Sequence, residues 1–323
     1  MRMFSGISGS VLVGLFLVLV STSAFAVKVA CVGNSITEGF GLEADEPKYP
    51  DYLQQMMNAG DTVANFGSSG RMFFKKSTMS YWVEEEFEEA LAFPSDIVVI
   101  ELGTNDSKYF YLPSYDLTVK SLQPSYEELV ETFASRPRSP EIFATLQPYA
   151  NHPEGGIVDS VMVKYINPLI KGAAMQKGAN IIDLHTLFSP KLLLSDSLHP
   201  NSEGAKEIAK IVHKYITMPK PKMSQKDADL VVEKGFGFRW YKDSVLISGA
   251  ENATLPIKEK GIYRALVKVE EDNDSWLLTD EVQIKKLPPN STKKTGIERK
   301  ARNVEPRPHK LKHRVDVKGR RAP

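Results

Sequence analysis

The chain has 323 residues, of which 42% are hydrophobic and 25% are charged, so it is long enough for one large domain and a smaller one. Its net charge of +1 is unevenly distributed, because residues 285–323 contain 14 Lys and Arg against 3 Asp and Glu, whereas residues 27–284 contain 26 against 37. An acidic body argues against a nucleic-acid partner for the core, and a single cysteine, Cys31, excludes an intramolecular disulfide.

The first 26 residues have the pattern of a secretory signal peptide. A basic start at Arg2 precedes an apolar run over residues 11–20, and Ala24-Phe25-Ala26 is a small-residue cleavage site. The run is shorter than the about 20 residues that a membrane-spanning helix needs, which favours cleavage over a membrane anchor. No second apolar run of that length follows. We therefore predict a secreted protein (periplasmic, extracellular or at the cell surface) that is not integral to the membrane after processing.

Residues 27–218 alternate short apolar segments with helical periodicity, which is typical of a parallel sheet with helices on both faces. Strands are predicted at residues 27–33, 62–66, 96–102, 141–146 and 180–184. Helices are predicted at residues 49–57, on the face formed by Val83, Phe87, Ala90 and Leu91, near residues 161–176, and from Asn201 as N-cap through Val212. The pattern indicates an α/β domain over residues 27–218.

Three further segments follow this domain. Residues 219–230 are predicted to be a linker rich in Pro and Lys, and residues 231–286 a small β module, because the apolar period changes there to two. The module resembles an immunoglobulin-like domain, with Trp240 as core tryptophan and Tyr263 as corner tyrosine, although both antibody cysteines are absent. Another small antiparallel sandwich is the alternative. Residues 287–323 form a basic tail that we expect to be disordered alone and either to bind an anionic polymer or the cell surface, or to be simply solvated.

Residues suited to nucleophilic catalysis lie in two loops of the α/β domain. Ser35 follows the first strand, at the carboxyl edge where open α/β sheets bind their ligands. Asp196 and His199 are three residues apart, so the carboxylate can hold one imidazole nitrogen while the other faces Ser35. An isolated pair with this spacing is commonly a surface loop. His185, after the fifth strand, is a rival base that we interpret as a structural histidine.

Donors for an oxyanion are predicted after the second and third strands. The backbone N–H groups of Ser35 and Gly70 and the side-chain amide of Asn105 would surround one oxygen atom. Gly70 and Asn105 are also ordinary turn residues, and only their convergence at one sheet edge favours the catalytic interpretation. No cluster of His, Cys and carboxylates has the spacing of a metal site. We predict neither a metal nor a cofactor.

Four blocks of this sequence together resemble the SGNH (GDSL-type) hydrolases over about residues 27–215. They are Gly33-Asn34-Ser35-Ile36-Thr37, with Asn34 where the name motif has aspartate, then Gly70, then Gly103-Thr104-Asn105-Asp106, and Asp196-Ser197-Leu198-His199. The resemblance implies a flavodoxin-like three-layer α/β/α fold. It also implies Ser35 as nucleophile, His199 as base with Asp196 as its partner, and Gly70 and Asn105 as oxyanion donors.

Within that family the sequence is similar to secreted carbohydrate O-acetylesterases, including xylan- and sialate-deacetylating types. Trp82 and Tyr109 are candidate substrate-binding residues because aromatic faces stack on sugar rings, or else they pack loops. The predicted function is a secreted serine esterase that removes acetyl groups from a small-molecule or polysaccharide ester through an acyl-enzyme. The alternatives are a lysophospholipase or thioesterase of the same family, and a non-catalytic surface or glycan-binding protein.

Overall fold

The structure is a computed structural model that describes residues 26–111 and 115–288, without the side chains of residues 111–120. The predicted signal peptide therefore lies outside the described residues except for Ala26, and the predicted basic tail except for Leu287 and Pro288. Among the described helices, none combines the length and the apolar character that crossing a bilayer requires.

A ten-stranded sheet runs through the described part of the chain. Its first five strands are parallel and have the order β2-β1-β3-β4-β5, which is the order of flavodoxin-like folds. The strands of this sheet and of a second, three-stranded one are β1 (Lys28–Gly33), β2 (Thr62–Gly67), β3 (Ile97–Glu101), β4 (Glu141–Leu146), β5 (Asn180–Asp183), β6 (Met223–Lys226), β7 (Asp229–Val232), β8 (Gly237–Lys242), β9 (Val245–Leu246), β10 (Thr254–Pro256), β11 (Gly261–Lys268), β12 (Trp276–Leu278) and β13 (Val282–Ile284). The predicted fold class is confirmed.

Helices cover both faces of the parallel strands. They are α1 (Ser35–Glu38), α2 (Tyr49–Met56), α3 (Glu85–Ala92), α4 (Tyr115–Ala134), α5 (Asp159–Val161), α6 (Asn167–Lys177), α7 (Leu184–Leu187) and α8 (Ser202–Thr217), with a π-helical segment, Met162–Ile166, joining α5 to α6. Short 3₁₀ segments lie at Tyr81–Val83, Asn105–Tyr111, Pro153–Gly155 and Pro190–Leu192. Because strand side chains alternate, Ala30 and Val32 of β1 pack with α3, α4 and α6, whereas Val29 and Cys31 pack with α2 and α8.

The register of the sheet brings three strand ends to one edge. Gly33, the last residue of β1, pairs with Gly67 of β2 and with Glu101 of β3. The loops that follow these strands therefore start side by side, and they contain Ser35, Gly70 and Asn105. This edge is where an open parallel sheet binds ligands.

One long helix, α4, was not among the predicted elements. It contains Pro124, which interrupts the helical pattern, but its apolar residues Leu122, Tyr126, Leu129 and Phe133 are spaced so that they share one face. All four are fully buried against the sheet. The burial of that face accounts for a helix that tolerates an internal proline.

The C-terminal strands extend the parallel sheet instead of forming a detached module. Trp276 of β12 pairs in antiparallel fashion with Ile181 of β5, and β11, β8 and β9 follow outward. This pairing covers the edge of β5, whose N–H and C=O groups would otherwise be unpaired. A separate three-stranded sheet, β10-β7-β6, begins at Met223, so part of the predicted linker 219–230 is in fact strand.

The two aromatic residues singled out in this region are both buried. Trp240 is fully buried and donates its Nε1–H to the Asn252 carbonyl at 2.8 Å. The Tyr263 hydroxyl donates to the Glu259 carbonyl, four residues upstream, at 2.9 Å. Such a bond is a property of tyrosine corners. Because their strands belong to the main sheet, the immunoglobulin-like identity of residues 231–286 stays a prediction.

Candidate active site

Ser35 is held in a short turn between β1 and α1. Asn34 caps α1, since its Oδ1 accepts from Ile36 N at 2.9 Å, and its own N–H donates to the Glu101 carbonyl at 3.2 Å. Gly33 is required before it, because a Cβ there would lie 1.9 Å from Thr37 Oγ1. The turn therefore places Ser35 at the first position of the helix, above the edge of the sheet.

His199 joins Ser35 to Asp196. Its Nε2 lies 2.9 Å from Ser35 Oγ, and its Nδ1 lies 2.7 Å from Asp196 Oδ2. The three side chains predicted to act together are thus within hydrogen-bond distance, although Ser35 and His199 are 164 residues apart. In this arrangement the imidazole can take the proton of the serine hydroxyl while the carboxylate holds the ring.

The Asp196 carboxylate is shaped for that role by its own loop. Its Oδ1 accepts from the backbone N–H groups of Leu198 and His199, each at 3.0 Å, around a left-handed residue, Ser197. Partial burial raises the pKa of Asp196, but the hydrogen bonds from the His199 side chain and from the two N–H groups outweigh it, so the pKa lies below its usual value. Asp196 is therefore ionised at neutral pH and can stabilise an imidazolium.

The predicted oxyanion donors lie around the same hydroxyl. Gly70, with φ at 77°, and Asn105 line one pocket together with Ser35. Within the described residues, the N–H groups of Ser35 and Gly70 donate to no protein acceptor. One hydrogen of the Asn105 amide goes to the Arg71 carbonyl at 3.1 Å, which leaves the other for a ligand. The site thus offers three donors near the Ser35 hydroxyl.

Asp106 fixes the relative position of the two donor loops. Its carboxylate accepts from Phe73 N at 3.1 Å and from Phe74 N at 2.9 Å, so the loop after Gly70 is tied to the residue that follows Asn105. Asp106 is fully buried, and burial raises its pKa to about 8. Asp106, the last residue of the third block, therefore holds the two loops in place although it is itself buried.

The pocket over Ser35 has a volume of about 280 Å³. Its wall also contains residues that were not predicted to belong to the site, namely Phe40, Ser69, Lys108, His152, Ile157 and Leu198. The Phe40 ring is 56% exposed and lies 4.7 Å from the His199 ring. Apart from Leu198, which lies in the fourth block, no motif marks these residues, since they come together only through the loops.

Trp82 and Tyr109, the candidate substrate-binding residues, do not line this pocket. The Trp82 indole donates to the Phe73 carbonyl at 2.9 Å and packs on Phe87, and the Tyr109 ring makes an edge contact with Phe74. Both rings are half-buried and pack against the hydrophobic core. These contacts favour the alternative that they pack loops, and their stacking on sugars stays a prediction.

His185, the rival base, contacts a different carboxylate. His185 Nε2 lies 3.0 Å from Asp159 Oδ1, and the pair lies at a different cavity from Ser35. Over residues 26–111 and 115–288, no three side chains of His, Cys, Asp or Glu converge as ligands of a metal ion would. His185 therefore lies away from Ser35 and contacts Asp159 instead.

Comparison with known proteins gives three similarities. Residues 31–207, which are 177 of the 323, match the profile of the GDSL-like Lipase/Acylhydrolase family. An acetylxylan esterase from Xylanibacter ruminicola is 36% identical over 203 residues, which are 58% of this chain and 42% of that protein, so the chain spans less than half the length of this curated relative. An acetylxylan esterase structure from Geobacillus stearothermophilus is 21% identical, with a TM-score of 0.46, over 60% of this chain and 97% of that one.

Proposed function

The chain belongs to the GDSL-like Lipase/Acylhydrolase family, and from this membership we propose that it is a serine esterase that removes acetyl groups from carbohydrate. The observation that carries the proposal is the 2.9 Å separation of His199 Nε2 and Ser35 Oγ, with Asp196 on the other side of the ring. A base at this distance can deprotonate the hydroxyl as it attacks.

The proposed reaction has two steps. In the first, Ser35 Oγ bonds to the ester carbonyl carbon, His199 Nε2 takes the hydroxyl proton, and the N–H donors of Ser35, Gly70 and Asn105 stabilise the oxyanion. Collapse of this intermediate breaks the bond to the alcohol oxygen, which leaves with the proton from His199. In the second step, water attacks acetyl-Ser35 with His199 again as base, and acetate leaves.

The acetyl preference is supported by two features. The curated relative is named an acetylxylan esterase. The pocket of about 280 Å³ is small for a ligand site, and part of that space must hold the alcohol side of the ester. A short acyl group is therefore the better fit, and a sugar would lie at the open rim beside Phe40.

Acetate release across a panel of acetylated substrates tests this proposal. We expect kcat/KM for an acetyl nitrophenyl ester to exceed that for the octanoyl ester by about tenfold or more, and acetate to be released from acetylated xylan or an acetylated sialoside. A preference for octanoyl or longer chains would instead favour a lysophospholipase or thioesterase. A complete lack of hydrolysis, with polysaccharide binding retained, would favour the non-catalytic alternative.

We further propose that the protein is exported and cleaved after Ala26. In support, Val27 N donates to Asp61 Oδ1 at 2.8 Å directly before β1 begins. Cleavage would convert this N–H into an α-ammonium group and the contact into a charge-assisted one. N-terminal sequencing of the exported protein is expected to start at Val27, and an exported form that retains residues 1–26 would contradict the proposal.

A further inference from the structure

A buried carboxyl group lies directly behind the turn that carries Ser35. Glu101 is the last residue of β3 and is fully buried, and the sheet register places it beside Gly33. Its Oε2 accepts from Thr37 Oγ1 at 3.1 Å, and its carbonyl accepts from Asn34 N at 3.2 Å. Glu101 therefore holds the residues on both sides of Ser35, although it does not line the pocket.

The surroundings of this carboxyl group favour its uncharged form. Among the described residues no Lys or Arg pairs with it, and its Oε1 has no hydrogen-bond partner. The titratable groups that share electrostatic interactions with it are the hydroxyls of Tyr49 and Tyr126, which are also buried and unpartnered. Burial raises the pKa of Glu101 to about 8, against the opposing effect of donation from Thr37 and Asn34. Glu101 thus becomes charged only in mild alkali.

Asn34, the departure from the family motif, fits this environment. Its Oδ1 caps α1, whereas its buried Nδ2, like Glu101 Oε1, has no hydrogen-bond partner. An aspartate at position 34 could also cap the helix, but it would place a second acid beside a buried one, and one of the two pKa values would then rise. The amide at position 34 avoids this second buried acid.

We propose that Glu101 is a positioning residue for the nucleophile: its uncharged carboxyl group braces the turn from Asn34 to Thr37, and Ser35 loses its alignment when a buried negative charge forms there. This inference rests on the proposed esterase function, because the alignment is read out as turnover.

The pH profile of kcat tests this role. For the wild type, kcat is expected to fall about tenfold between pH 7 and pH 9, with a midpoint near 8, after spontaneous ester hydrolysis is subtracted. In Glu101→Gln, kcat at pH 7 is expected to fall by less than about tenfold and to stay constant up to pH 9, with KM unchanged. If kcat of the wild type does not decline in alkali, or if kcat of Glu101→Gln declines in the same way, the proposal is overturned.

Asp106 is the control for this profile, because burial raises its pKa to about 8 as well. If the alkaline decline disappears in Asp106→Asn and persists in Glu101→Gln, it belongs to the loops that carry the oxyanion donors, and the role of Glu101 is refuted. The expected result is the reverse, because Asp106 is bonded to Phe73 N and Phe74 N and not to the turn that carries Ser35.

Thermal unfolding separates a failure of this inference from a failure of the proposed function. A group whose pKa is raised in the folded state contributes stability that is fully present below its unfolded pKa and is lost as the pH rises through about 8. Glu101→Gln removes that loss, so its Tm relative to the wild type should be higher at pH 9 than at pH 5. An unchanged difference refutes an uncharged Glu101 even in a protein without esterase activity.

Discussion

Replacement of Ser35 by alanine is expected to lower kcat for acetyl-ester hydrolysis by about 10⁴-fold or more, because no acyl-enzyme can form. The hydroxyl oxygen lies 2.9 Å from His199 Nε2, and its removal leaves the imidazole and the N–H donors in place. Ser35 is buried at a helix start, but its truncation removes only one hydroxyl group, so the Tm should change little. Nitrophenyl acetate turnover, with mass spectrometry of the protein trapped during turnover, measures both the rate and the acetyl adduct.

Ser69 provides the matched control for this variant. It lines the same pocket, but its hydroxyl is hydrogen-bonded to the Glu38 carboxylate rather than to an imidazole. Ser69→Ala should therefore retain the acetyl adduct on residue 35 and lose at most about tenfold in kcat, as expected for a residue at the pocket wall. An adduct on Ser69, or an unaffected kcat in Ser35→Ala, would contradict the assignment of the nucleophile.

The residues around Ser35 could be predicted because the local sequence determines where each of them lies, either directly after a strand or within one short loop. Ser35, Gly70 and Asn105 all follow parallel strands, and parallel strands bring their carboxyl ends to one edge. Asp196 and His199 are close in sequence, so their contact requires only one loop. The roles of these residues stay predictions until variants are measured, but their convergence follows from the sheet order.

The remaining features depend on contacts between distant segments, which local patterns do not encode. Trp82 is of a residue type that can stack on sugars, but its indole donates to the Phe73 carbonyl and packs against the core. The pairing of Trp276 with Ile181 extends the main sheet through residues that looked like a separate module. In both cases the contact covers a surface, an apolar face or a strand edge, that is left exposed once the α/β layers have formed.

The place of Glu101 in the sequence is itself unusual. It is the one acidic residue near the end of the apolar segment Ile97–Glu101, whose other residues are buried or half-buried. A carboxyl group in a central strand is costly unless it is paired or uncharged. Its place behind the turn that carries Ser35 is set by the register of β1 and β3, which pairs Glu101 with Gly33.

Replacement of His199 by alanine should be as damaging as the loss of Ser35, with kcat lowered by about 10⁴-fold or more, because the two residues act as one unit. The Ser35 hydroxyl then has no acceptor for its proton, and water has no base in the second step. The double variant Ser35→Ala/His199→Ala should be no slower than either single variant. Steady-state turnover of nitrophenyl acetate by the three proteins gives this comparison, and additive losses would show that the two residues act independently.

His185 is the control that makes the prediction specific to one imidazole. It forms the same kind of pair with a carboxylate, to Asp159 at 3.0 Å, but it lines another cavity and contacts no serine of the site. His185→Ala is therefore expected to keep kcat within about threefold of the wild type while lowering the Tm, since it removes a partly buried hydrogen bond to Asp159. Loss of activity in His185→Ala together with retained activity in His199→Ala would exchange their roles, and it would require a conformation in which the loop of residues 196–199 no longer reaches Ser35.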